Sequence, residues 1–131
     1  MTTPTPPRTV LRRVALAAAG GMIGTAARLG LGMLIPDAAL GVLVANVVGS
    51  LLLGMLVARL PAADLRIFVG TGILGGFTTY SAFTVDAVGL WSDAPLIAAG
   101  YVVGSIVLGL AAAALGLWFG RRRGGRARAA A

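Results

Sequence analysis

The sequence predicts an all-α integral membrane protein of four transmembrane helices, with the third helix broken near Gly75–Thr79. Three observations carry that expectation. Apolar residues gather in four blocks, 14–35, 40–60, 67–90 and 96–119, each long enough for one helix across a ~30 Å hydrocarbon core. Only 11 % of the 131 residues are charged and 58 % are hydrophobic, whereas a soluble domain carries about a quarter charged residues. The third block is interrupted by Gly75, Gly76, Thr78, Thr79 and Ser81. Hydrocarbon cannot satisfy free backbone N–H and C=O groups, so such a break survives only where protein buries it or where it lines a polar cavity. It therefore points to an ion or solute pathway.

The chain divides into a basic Pro/Thr-rich tail (1–13), a membrane domain (14–119) and an Arg-rich tail (120–131). Residues 2–7 read as a disordered tail. Arg12 and Arg13 before an Ala-rich run resemble a twin-arginine or cleavable signal. The run is longer than an ordinary signal core, however, and its Gly24 and Arg28 suit a packed span. Arg28 lies about two-thirds through span one, where a charge costs ~2.5–3.5 kcal/mol unless it snorkels or faces water. It either snorkels to the far interface or attracts anions in a vestibule.

In span two, Asn46 offers two donors and an acceptor. It either makes an interhelical hydrogen bond or faces a dehydrated anion. In span three, Tyr80 and Phe83 are three apart and share one helical face beyond the break. Asp86 reads as an interfacial residue or a partner for an arginine. In span four, Tyr101 and Ser105 share a face. The 20 glycines include the small-xxx-small pairs Gly20/Gly24, Gly72/Gly76, Gly100/Gly104 and Gly116/Gly120, which permit close helix approach in lipid. Four spans alone could hardly surround an ion pathway and also shield it from lipid, so an oligomer is expected.

Composition excludes most enzyme chemistry. There is no Cys, His, Glu or Lys, and the acidic residues are Asp37, Asp64, Asp86 and Asp93. No thiolate, imidazole or zinc site can be built, and the chain is not expected to be an enzyme. The basic residues are lopsided. Arg8, Arg12, Arg13, Arg59, Arg66, Arg121, Arg122, Arg123, Arg126 and Arg128 fall at the termini and the second connection, while the first and third connections have none. The positive-inside rule places both termini in the cytoplasm. The basic tail reads as a topology signal touching anionic headgroups, not as a nucleic-acid site.

Three runs carry a family resemblance: residues 20–28, from Gly20 to Arg28; residues 46–54, from Asn46 to Gly54; and residues 70–83, from Gly70 to Phe83. In order and spacing they resemble the small bacterial fluoride channels of the Fluc or CrcB family, over nearly the whole chain. The resemblance implies a fluoride-specific channel of the cell membrane that lowers fluoride toxicity by passive export. It implies an antiparallel, dual-topology-type dimer with two pores. A structural sodium ion would sit at the dimer centre on the main-chain carbonyls of Gly75 and Thr78. The anion path would pass Asn46, Tyr80 and Phe83, with Ser81, Tyr101 and Ser105 alongside and Arg28 at a vestibule. Two departures stand out: Tyr80 replaces a phenylalanine, and Gly109 replaces a serine often found there.

These residue types suit the ion. Fluoride holds its water tightly, so a pore must replace that water with donors. Asn46, Ser81, Tyr101 and Ser105 can donate, and aromatic rings present positive edges to an anion. The alternative is a small four-span proton-coupled multidrug exporter, which needs an acidic residue inside a span; Asp86, near a span end, is the only candidate. The arginine bias adds a further expectation. A chain with fixed orientation must pair with a homologous subunit of opposite bias, whereas a homodimer requires that inversion tolerate the bias.

Overall fold

The computed structural model describes residues 7–59 and 62–129, with side chains described for 8–59 and 62–122. Residues 1–6, most of the tail read as disordered, lie outside the described residues. So do residues 60–61 and 130–131, and the side chains of Arg123, Arg126 and Arg128.

Every regular element among the described residues is helical. Helix α1 spans Pro7–Leu34, with proline at the first helical position, where its missing N–H costs nothing. Helix α2 spans Ala38–Arg59. Asp37 caps it, its Oδ1 accepting from Leu40 N–H at 2.8 Å. Helix α3 (Ala63–Leu65) winds into a π-helix, Arg66–Leu74, which passes into α4 (Gly75–Phe77). Together these form one helical arm, 63–77. Helix α5 (Tyr80–Asp93) and helix α6 (Pro95–Ala129) follow, separated by Ala94.

Three helical stretches are long and apolar enough to cross a membrane: Arg8–Leu34, Ala38–Arg59 and Pro95–Arg122. The third apolar block yields no such uncut helix, because it is divided. Its second half, α5, has 14 residues. The division is narrower than the sequence suggests. Gly75 and Gly76 remain helical. Only Thr78 (φ −80°, ψ 156°) and Thr79 (φ −149°, ψ 127°) are extended, in keeping with the β preference of a branched side chain.

The two largest seams join elements that are not neighbours in sequence. Helix α1 lies on the arm, α2 lies along α6, and α5 rests on α6, while α1 and α2 scarcely meet. The α1–arm seam is made of glycine. A Cβ on Gly72 would come within 2.8 Å of Gly20 Cα, and one on Gly76 within 2.5 Å of Gly21 O. The pairs Gly20/Gly24 and Gly72/Gly76 therefore face each other, backbone on backbone. Gly54 and Gly116 do the same for α2 and α6, against Ala113 and Leu51 respectively. Gly100 and Gly104 behave differently: a Cβ added to either would meet nothing within 4 Å, so that pair packs on none of the described residues.

The buried hydrophobic residues are mostly small: Ala45, Ala98, Ala112 and Leu74. Large apolar side chains face outward, with Leu96 89 % and Met33 85 % exposed. Small inside and large outside is the pattern for helices associating in lipid, where burying leucine brings no gain. At the end carrying the termini, Arg12 pairs with Asp64 and ties α1 to the start of the arm.

Candidate functional site

The break between α4 and α5 creates unsatisfied backbone groups of both signs. A helix end leaves carbonyls free and a helix start leaves N–H groups free. Several of these groups can be followed to their partners. Thr78 N–H and Thr78 Oγ1 both donate to Leu74 O, at 2.9 Å each. Gly76 O accepts long hydrogen bonds from Thr25 Oγ1 (3.5 Å) and Arg28 Nε (3.4 Å) of α1. Thr79 is held by Asn46 of α2: Oδ1 accepts from Thr79 N–H at 2.8 Å, and Nδ2 donates to Thr79 O at 3.0 Å. Thr79 also caps α5, its Oγ1 accepting from Ala82 N–H at 3.3 Å.

Two carbonyls lose the donor that a continuous helix would give them. Thr79 N–H, four residues beyond Gly75 O, is taken by Asn46. Ala82 N–H, four residues beyond Thr78 O, is taken by Thr79 Oγ1. Uncommitted carbonyls at a helix C-terminus suit a hard cation, so the donor set at Gly75 and Thr78 fits a sodium ion. Immediately beyond, the first N–H groups of α5 present the positive end of a helix dipole.

A cleft of about 340 Å³ opens on this junction, lined among others by Asn46, Gly75, Thr78, Thr79, Tyr80 and Phe83. Gly49, one turn after Asn46, makes room there: a Cβ on it would collide with the Thr78 methyl. Tyr80 and Phe83 also line a second cleft of about 270 Å³ between α5 and α6. The rings form a short ladder. Tyr80 and Phe83 centroids are 6.1 Å apart, and Phe83 and Tyr101 are 5.4 Å apart, both tilted. Tyr80 is 80 % exposed. Ser81, also exposed, lies 3.2 Å from Thr79 through their hydroxyls.

The structure thus brings Asn46, Gly75, Thr78, Tyr80 and Phe83 to one cleft and joins Tyr101 to it through the ring ladder. Tyr101 Oη and Ser105 Oγ, both on α6, are buried with no hydrogen-bond partner among the described residues. Asp86 Oδ2 shares that condition, so the arginine pairing expected for it is not formed at that oxygen. Arg28 does two things: its Nε reaches the break, and its side chain lines a cleft of about 350 Å³ beside Ile35 and Pro36 at the first connection. Sequence reasoning placed Thr79 in the break but gave no site role to it, to Thr25 or to Gly49. Helical spacing held a clue, because Thr25 precedes Arg28 by three and Gly49 follows Asn46 by three, each pair sharing a face.

Residues 15–117 match the family described as CrcB-like protein, Camphor Resistance (CrcB). Among curated relatives, the Fluoride-specific ion channel FluC of Paracoccus denitrificans is 46 % identical over 112 residues, covering 79 % of this chain and 90 % of that one. The Fluoride-specific ion channel FluC of Agrobacterium fabrum is 42 % identical over 119 residues, covering 82 % and 95 %. Fluoride-specific ion channel FluC 1 of Rhodococcus jostii is 46 % identical over 110 residues, covering 83 % and 86 %.

Proposed function

The chain belongs to the CrcB family, and on that premise we propose that it forms a passive, fluoride-selective channel that lets fluoride leave the cytoplasm. The observation that carries the proposal is the two-residue break, whose cleft gathers Asn46, the Tyr80 and Phe83 rings, and Gly75 and Thr78, whose carbonyls have lost their helical donors. Relatives named as fluoride-specific ion channels supply the ion. An inside-negative potential drives an anion outward by about 2.3 kcal/mol per 100 mV, so no energy-coupling site is required.

The anion path runs past Asn46, Tyr80, Ser81 and Phe83, with Tyr101 and Ser105 supplying further donors. Each donor replaces part of a hydration shell that fluoride gives up reluctantly. Ring edges of Tyr80 and Phe83 add positive electrostatic potential without a fixed charge that would trap the ion. Arg28 raises the local anion concentration at the mouth. The carbonyls of Gly75 and Thr78 would hold a structural sodium ion, which supplies a fixed positive charge near the path.

The working unit is an antiparallel dimer in which the half-buried break of one subunit meets that of another. In liposomes loaded with fluoride and given a potassium ionophore, the assembled dimer, this chain together with its partner subunit, is expected to release fluoride and retain chloride. Equal rates for the two anions would sink the selectivity; no release of either would sink the channel.

Arginine placement bears on which subunit is the partner. Arginines crowd both terminal segments and the second connection and are absent from the first and third, so the arginine-rich side reads as cytoplasmic, and the partner is a homologous chain of opposite bias. Accessibility tags at both termini in intact cells are expected to report the cytoplasm alone when this chain is expressed by itself. A near-equal mixture of orientations would point instead to a homodimer.

A further inference from the structure

Asn46 commits its amide to the backbone of a single residue. It accepts from Thr79 N–H at 2.8 Å and donates to Thr79 O at 3.0 Å. A group that bonds both backbone atoms of one residue acts on it as a neighbouring strand would. Thr79 is accordingly extended, at φ −149° and ψ 127°, in a segment that is otherwise helical on both sides.

The effect extends to the adjacent carbonyls. Were Thr78 and Thr79 both to turn helical, Thr79 N–H would leave Asn46 and swing back to Gly75 O, closing the i→i−4 ladder. Thr79 Oγ1 would also leave its capping position, and Ala82 N–H would return to Thr78 O. Both oxygens would then be spent inside the helix. Asn46 is thus the side chain that keeps them free, although it touches neither.

We infer that Asn46 is a positioning residue for the cation site, so that one residue of the anion cleft also sets how tightly sodium is held. The identity of the cation rests on the function proposed above; the clasp itself does not. Asn46 also keeps one amide N–H with no partner among the described residues, so serving the anion and holding Thr79 do not compete for the same atom.

The test reads the full-length protein in detergent by amide hydrogen exchange and by sodium-dependent melting, with N-methylglucamine replacing sodium at constant ionic strength. Neither readout depends on fluoride flux. In the wild type, Thr79 N–H is expected to exchange slowly, and sodium to raise the melting temperature. Asn46→Leu removes both hydrogen bonds; Thr79 N–H becomes fast, and the sodium midpoint rises roughly tenfold, as befits losing bonds of about this strength. Asn46→Ser is neutral and too short to hold both backbone atoms of Thr79. It is expected to show the same fast Thr79 exchange and raised sodium midpoint, and it carries the test if the leucine variant does not fold.

Unchanged Thr79 exchange in Asn46→Leu would overturn the clasp. A sodium midpoint that does not move in either variant, or a wild type indifferent to sodium, would overturn the link to the cation. A wild type that binds sodium but passes no fluoride would overturn the proposed function and leave this inference standing.

Discussion

Asn46→Asp is expected to slow fluoride efflux about a thousandfold in liposomes. The substitution sets a negative charge where an anion must pass. At ~4 Å and an effective dielectric near 20, that repulsion is about 4 kcal/mol, and each ~1.4 kcal/mol is a factor of ten in rate. Phe83→Ile is expected to cost less, about tenfold or more, because it removes a ring edge and the centre of the Tyr80–Phe83–Tyr101 ladder without adding charge. A fluoride electrode reads both, on protein matched for expression and folding. Wild-type efflux from either variant would place that residue off the path.

Gly24→Ala is expected to be the most damaging single methyl group in the membrane domain. A Cβ there would overlap Ile73 O and lie 2.8 Å from Phe77 N, atoms of a backbone that cannot step aside. Overpacking of side chains typically costs about 1–3 kcal/mol, and a clash with main chain belongs at or above the upper end. Helix α1 would be pushed off the arm, and Thr25 and Arg28 would lose Gly76 O. Gly30→Ala is the matched control, since no atom lies within 4 Å of the added carbon. Thermal unfolding in detergent should show a large fall for the first and little change for the second. Equal melting points would mean that α1 and the arm do not meet backbone on backbone.

Much of this was legible in the residues. Four apolar blocks and a polar interruption gave the helices and the position of the break, because hydropathy and backbone satisfaction are local properties. The aromatic pair was legible because three residues in a helix return to the same face. What was not legible depended on tertiary partners. Gly75 and Gly76 looked like the break and proved helical; Gly76 is needed for contact with Gly21, which sequence spacing alone does not announce. Asn46 was visible as a donor, yet its attachment to Thr79 spans 33 positions and has no local signature. The π-winding of Arg66–Leu74 was likewise unseen, since it consists of one hydrogen-bond register giving way to another.

The pairing of α1 with the arm and of α2 with α6 has a consequence in time. Consecutive elements are usually spatial neighbours, so most chains begin to pack as soon as two have emerged. Here α1 and α2 enter the bilayer as near strangers. The first cannot find its glycine counterpart until the arm follows, and the second waits for the last helix of the chain. Arginines near the N-terminus act on orientation at insertion, before either seam exists. The decision about which way to face is therefore taken by charge alone, and packing inherits it.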